Sequence, residues 1–176
     1  RRRRNLRRRY FKHSDRTIDV HCRIAAPDDR GLWYGHMRGR VYDAVSEMVN
    51  SRSADWVVLC ESKRLRYRQF IRELSQSKIC LSPFGYGEVC WRDFESVLSG
   101  ALLLKPDMSH IETRPNIYVP YETYVPVKWD LSDLESQCER CLADADLRYL
   151  ITTNAVAIWT EFLRNGWTDT WNEILW

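Results

Sequence analysis

The residues best suited to chemistry crowd into one stretch, Leu81-Ser-Pro-Phe-Gly-Tyr-Gly-Glu-Val-Cys-Trp-Arg-Asp-Phe-Glu-Ser-Val-Leu-Ser-Gly-Ala101. Gly85 and Gly87 carry no side chain, so a ligand can come close to the backbone there. Arg92 offers a planar fork that matches two oxygens of a phosphate. Glu95, one helical turn further on, can accept two hydrogen bonds from the vicinal hydroxyls of a ribose, and Glu88 is its rival for that role. A helix starting at Trp91 would add free amide N–H groups and the positive end of its dipole, both suited to an anion. Tyr86 could stack on a base or a sugar. The plainer reading of the same residues is that the glutamates favour a helix start and that Arg92 and Glu95 form a surface pair; on residue types alone the two readings balance. The segment is neither the G-x-G-x-x-G dinucleotide fingerprint nor a P-loop.

Two other stretches could serve the same ligand. Cys22-Arg23-Ile24 is followed by Asp29-Arg30-Gly31, which puts two cations just past an apolar run. Lys105-Pro-Asp107-Met-Ser-His110 follows another apolar run. In it His110 is a candidate general base, with Asp107 beside it, and Lys105 could meet a sugar. Tyr118, Tyr121 and Tyr124 could stack on a sugar or base, though tyrosines close to prolines are as often loop packing. Cys138-x-x-Cys141 is half of a zinc or redox motif, but it lies in a helical pattern with no second pair and no histidine nearby. No metal is therefore expected.

These residues need elements to hold them. Ile18–Ala25, Asp55–Cys60, Lys78–Pro83 and Ala101–Pro106 are short apolar runs bounded by polar or turn residues, which predicts buried strands. Tyr34–Met48, Leu65–Leu74 and Trp91–Leu98 carry apolar residues at helical spacing, and Gly100 stands where a helix prefers to end. An irregular, proline-bearing stretch follows, Asp107–Tyr124. Tyr124–Trp129 is strand-like, and Pro126 predicts an edge position. Helices then begin near Leu131 and span Asp146–Arg164, with a last short one over Trp167–Trp176. Alternating strands and helices predict a mostly parallel sheet with helices on both faces: an α/β, Rossmann-like three-layer domain. In such a sheet ligands bind beyond the carboxyl ends of the strands, where the three candidate loops, Ala25–Trp33, Pro83–Trp91 and Lys105–Tyr118, should converge.

At 176 residues with 44% hydrophobic content, the chain suits one domain with a real core. The net charge of +3 hides an asymmetry: residues 1–16 hold eight Arg, one Lys and one Asp, a net of +8, so the remainder sums to −5. Residues 1–16 are expected to be a basic segment or linker, with 17–176 as the domain. The basic run could touch nucleic acid or an anionic membrane surface, but no RNA-binding pattern follows it, and a solvated tail is the favoured reading. No apolar run is long enough for a membrane span. Six scattered cysteines fit a reducing compartment, so a cytoplasmic location is expected, with peripheral membrane contact as an option.

The run Gly87-Glu88-Val-Cys-Trp91-Arg92-Asp-Phe-Glu95-Ser-Val-Leu-Ser-Gly100-Ala-Leu-Leu-Leu104 resembles the donor-binding motif of GT-B glycosyltransferases, of the exostosin-like and family 1 type. Those proteins show an Arg, a Glu three residues on, and a small helix closing at Gly before an apolar strand. The spacing of Glu88, Trp91 and Arg92 is also similar to the GDP-fucose motif of α1,3-fucosyltransferases, but Val89 stands where those carry a Lys, which argues against fucosyl transfer. Glu88 and Glu95 lie seven apart, where many retaining members space two Glu by eight. Arg23 and Arg30-Gly31 resemble the Arg and Lys-Gly element after the first strand of GT-B C-terminal domains.

The resemblance implies half of a GT-B fold that transfers a sugar from a UDP- or GDP-linked donor to a hydroxyl acceptor, such as a glycan. It assigns the diphosphate to Arg92, Arg23, Arg30 and the Gly85–Gly87 backbone, the ribose to Glu95 or Glu88, and the sugar or base to Tyr86, Lys105 and Tyr118. It implies no cofactor and no metal, and a missing N-terminal domain that supplies the acceptor side. The alternative is a non-catalytic nucleotide- or nucleic-acid-binding α/β module.

Overall fold

A computed structural model of the chain describes residues 15–25, 32–51 and 56–166. The expected final helix over 167–176, most of the basic run and the loop holding Arg30 and Gly31 lie outside the described residues. Five parallel strands form one sheet: β1 (Ile18–Arg23), β2 (Val58–Glu61), β3 (Ser77–Leu81), β4 (Leu102–Pro106) and β5 (Val125–Val127). Their order is β2-β1-β3-β4-β5. Between them run α1 (Trp33–Ser51), α2 (Tyr67–Ser75) and α3 (Trp91–Ser99), and β5 leads into α4 (Leu134–Ala143) and α5 (Ala145–Glu161), which ends in a π-helical turn, Phe162–Gly166. This is a Rossmann-like three-layer α/β domain. The chain reverses its direction of travel across the sheet at β1 and β3, the switch point beyond whose carboxyl ends doubly wound domains bind their ligands.

Strand alternation sorts the core. Val20, Cys22 and Ile24 of β1 and Ile79 and Leu81 of β3 join α1 residues Met37, Val41, Val45 and Met48 in the large core. The other face of β1 and β3 presents His21 and Cys80, which meet Phe70 and Leu74 of α2. Trp159 of α5 packs on Phe94 of α3 at 5.0 Å. Pro126 pairs with Lys105 in the edge strand β5, where a missing N–H costs nothing on the outer side. Gly100 closes α3 at φ 70°, and its N–H reaches Val97 O at 3.0 Å, a backbone that a Cβ would strain. Cys138 and Cys141 are fully buried in the large core from α4, as small hydrophobes.

One arginine of the basic run belongs to the domain. Arg16 is buried and donates to Ser77 O at 2.6 Å, Leu74 O at 3.4 Å and Ser99 O at 2.9 Å. The last two are carbonyls in the final turns of α2 and α3, where intrahelical donors run out. Arg16, the last residue of the expected basic segment, is thus packed against the domain. Among the described residues no helix is long and apolar enough to cross a membrane.

His21 is buried in the centre of the sheet. Its Nε2 stands 3.5 Å from Glu73 Oε2, and neither ring nitrogen has a well-formed hydrogen bond. Burial lowers its pKa from 6.5 to about 4; Glu73 pulls the other way, and the positive charges of Arg92 and Arg23 add to the lowering. The unfolded chain thus takes up this proton near pH 6.5 and the native chain only near pH 4. The stability tied to neutral His21 is complete above pH 6.5 and is lost as pH falls toward 4, by roughly 3 kcal/mol. Urea unfolding at a series of pH values should show this slope, and His21→Leu should flatten it; an equal slope in the variant would refute the assignment.

Candidate functional site

The carboxyl rim is organised around one buried carboxylate. Asp93, in the first turn of α3, is fully inaccessible, as is Lys105 at the end of β4. Asp93 Oδ1 accepts from Ser82 Oγ at 2.6 Å, and Oδ2 accepts from Tyr118 OH at 2.6 Å and from Cys90 N at 3.0 Å. Lys105 Nζ lies 3.1 Å from Oδ2 and 3.2 Å from Oδ1, with its charge 5.2 Å above the Phe84 ring. The Tyr118 hydroxyl is pushed far up in pKa by burial and by the Asp93 charge it donates to. Lys105 and Tyr118 were expected to touch a sugar or base. They do not reach the surface, because an unpaired buried carboxylate is so costly that the nearest donors are spent on it. The N–H of Cys90 is taken as well, so the helix start is partly satisfied from within.

Beside this hub lies the mouth between β1 and β3. Arg23 faces it but is already engaged: Nε and Nη2 grip Glu73 Oε2 and Oε1 at 2.9 and 3.1 Å, and Nη1 donates to Lys63 O at 2.7 Å. An arginine neutralised by a two-pronged carboxylate contact is a poor phosphate ligand, which corrects its expected role. Arg92 is the opposite case. Among the described residues its guanidinium makes no hydrogen bond or ion pair, and its Nε is buried with no partner. It lies close enough to His21, Cys80 and Glu95 for its charge to lower their pKa values. Glu95 is half-buried, and burial raises its pKa in spite of Arg92.

The Gly85–Gly87 loop crosses the mouth. A Cβ on Gly85 would stand 3.3 Å from Cys90 Sγ and 3.5 Å from Arg38 Nη2, whereas a Cβ on Gly87 would meet nothing within 4 Å. Arg38 of α1 was not anticipated. Its charge lies 5.6 Å over the Tyr34 ring, with no hydrogen-bond acceptor among the described residues. Its only signal in the sequence is its place on the first helix after β1, two turns from the rim. Tyr86 within the loop and Trp91 after it are 84% and 85% exposed.

The remaining candidates gather at the β4 side. His110 Nε2 and Glu88 Oε1 are 3.1 Å apart, so the proposed base and one proposed ribose ligand form a pair with each other. The His110 ring meets the edge of Trp129 at 5.3 Å. Asp107 accepts from Ser109 N at 3.1 Å, Ser109 Oγ at 2.8 Å and Tyr124 OH at 3.2 Å. Partial burial works to raise its pKa, but these bonds and the nearby His110 hold it below the usual range. Aromatic contacts run along the whole rim, from Tyr86 to Tyr34 at 4.8 Å, Trp33 to Phe84 at 6.1 Å and Phe84 to Trp129 at 5.0 Å. The candidates thus divide into two uncommitted cations on different elements (Arg92 on α3, near Glu95, and Arg38 on α1), a carboxylate–imidazole pair (Glu88, His110), and a buried hub that is structural. Arg30 lies outside the described residues.

No protein-family model matches the chain, and no curated protein matches it. The chemistry open to the site is therefore read from its own geometry: two uncommitted guanidinium groups for an anion, a carboxylate one turn away, and a proton-handling pair at the rim.

The hub makes a stability prediction. Lys105→Met leaves the Asp93 carboxylate without its cation and should cost about 3–5 kcal/mol. Pairing it with Asp93→Asn should recover part of that loss. Urea unfolding of the two single variants and the double variant tests this, and strictly additive losses would rule the coupling out.

Proposed function

We propose that the chain is the donor-binding half of a glycosyltransferase, holding a nucleoside-diphosphate sugar while the sugar passes to a hydroxyl of an acceptor such as a glycan. The observation that carries the reading is the uncommitted Arg92 guanidinium on α3, with a buried, unpartnered Nε and a charge that reaches His21 of β1 and Cys80 of β3. A buried arginine atom without a partner is costly, and an anion that takes two of its N–H groups removes the cost. The resemblance of Gly87–Leu104 to the GT-B donor motif names that anion as a diphosphate.

In this reading Arg92 and Arg38 bind the diphosphate and stabilise its charge as the bond to the sugar breaks. The two guanidinium groups supply the positive charge, so the site asks for no metal. Glu95, one turn from Arg92, accepts from the ribose hydroxyls, and Tyr86 lies on the base. Glu88 is bonded to His110 and acts as a positioning residue: with His110 donating from Nε2, Nδ1 stays free to accept the proton of the attacking hydroxyl. That hydroxyl oxygen forms the new bond to the anomeric carbon as the diphosphate departs with the electron pair. A further domain would present the acceptor.

A second reading, a non-catalytic mononucleotide-binding module, is favoured by the strand order β2-β1-β3-β4-β5, which flavin-binding doubly wound domains share. Calorimetric titration with UDP, GDP and FMN separates the two. The donor reading expects UDP or GDP to bind, and Arg92→Ala and Glu95→Ala each to weaken that binding by roughly tenfold or more. Equal affinity in wild type and both variants would reject the site, and binding of FMN alone would favour the module.

A further inference from the structure

A separate cleft of about 490 Å³ opens at the β4–β5 end of the rim, away from the residues assigned above to the nucleotide. Two of its walls are Trp129 and Tyr121, which remain 45% and 39% exposed. Each ring is fixed in place. Trp129 Nε1 donates to Asp107 O at 2.9 Å, and its indole is braced by Phe84 at 5.0 Å and His110 at 5.3 Å. The Tyr121 ring carries Arg140 at 4.9 Å, and its hydroxyl accepts from Gln137 Nε2 at 3.2 Å. Its backbone is held at φ 59°, a conformation a tyrosine takes only where its surroundings impose it. Among the described residues the other non-glycine residue with such a backbone is Leu131, φ 63°, two positions after Trp129. Both strained positions therefore sit in the turns that aim these two aromatics. Exposed, immobilised rings lose little freedom when a ligand lies on them.

The polar lining completes the pattern. The Asp107 carboxylate is oriented by Ser109 and Tyr124. Asp133 accepts from Lys128 N through Oδ1 at 2.8 Å, and its Oδ2 has no partner among the described residues. The Lys128 ammonium also lines the cleft and has no hydrogen-bond acceptor among them. A sugar ring presents apolar C–H faces to aromatic walls, donates hydroxyl protons to carboxylates and accepts at its oxygens from an ammonium. Two carboxylates against one ammonium disfavour an anionic ligand.

We propose that the cleft between Tyr121 and Trp129 is a binding site for a neutral saccharide, held by stacking on the two rings and by hydrogen bonds to Asp107, Asp133 and Lys128. The inference goes beyond the donor reading and does not require it, since no nucleotide takes part.

The test uses the full chain without nucleotide. Cellobiose, lactose and N,N′-diacetylchitobiose are titrated while the tryptophan indole N–H signals are followed by NMR, with a proline-rich peptide as the competing ligand class. At least one disaccharide should shift the Trp129 indole signal with millimolar affinity. In the variants, followed by backbone amide signals because the substitutions at 129 remove the indole, Trp129→Ala should weaken binding by roughly tenfold, Trp129→Phe should restore most of it, and Asp133→Asn, which keeps the acceptor for Lys128 N, should weaken it too. Arg92→Ala should leave the disaccharide isotherm unchanged even where it abolishes UDP or GDP binding, so failure of the donor reading leaves this one standing. No shift with any disaccharide, binding of the peptide alone, undiminished affinity in both Trp129→Ala and Asp133→Asn, or loss of disaccharide binding in a folded Arg92→Ala would each overturn it. Should Trp129→Ala fail to fold, Asp133→Asn decides.

Discussion

Everything at the carboxyl rim depends on the Asp93 carboxylate. It sits with no water contact where the end of β3, the start of α3, the end of β4 and the loop before β5 meet. Four donors from those four places converge on it: Ser82, the Cys90 amide, Lys105 and Tyr118. Such a group has no tolerable intermediate state. Fully paired, it locks the four segments in register; with one donor missing, it leaves a desolvated charge. The loops that carry Tyr86, Glu88, Asp107 and His110 all spring from segments tied to it, so their positions follow from it at one or two removes.

This constraint also decides which polar residues remain for a ligand. Asp93 consumes Lys105 at the end of β4 and Tyr118 in the stretch after it, and it accepts the Cys90 amide at the start of α3. A negative group in the first turn also offsets the helix dipole that would otherwise attract an anion. An anion at this mouth therefore has to rely on side-chain cations more than on the helix. Arg23 is removed from that set by Glu73, which leaves Arg92 and Arg38 among the described candidates. Arg92 is uncommitted because Glu95, its neighbour one turn along the helix, does not close an ion pair with it.

The fold was legible because each strand is a short apolar run between turn residues, and Gly100 and Pro126 have local meanings that tertiary context did not alter. The site was legible only where its signal was local. Arg92 and Glu95 lie three apart on one helix, and that spacing survives folding. Lys105 looked like a rim cation because it follows three leucines, but β4 is buried along its whole length. Its partner stands twelve positions earlier on a different element, a pairing that no periodicity reports. Arg16 was concealed in the same way: in a run of like residues nothing marks the one whose guanidinium meets the carbonyl ends of two helices. Glu88 and His110, 22 residues apart, are joined only once β3 and β4 lie side by side.

The rim that results is polarised along the sheet. The uncommitted guanidinium groups belong to α1 and α3, which follow β1 and β3, and the carboxylates of Glu88, Asp107 and Asp133 lie toward β5. Solvent and salt damp such fields over roughly 8 Å, so each end acts on what is bound against it. For a ligand with a charged phosphate end and a neutral hydroxylated end, the two placements along this rim differ in energy: one sets anion against cation and hydroxyl donors against carboxylates, and the reverse sets like charge against like. Orientation would then be chosen by charge placement before any shape-specific contact forms. The aromatic residues that run from Tyr86 to Trp129 fit the same logic, since they provide an uncharged path between the two ends on which a ring can lie in either half without altering that choice.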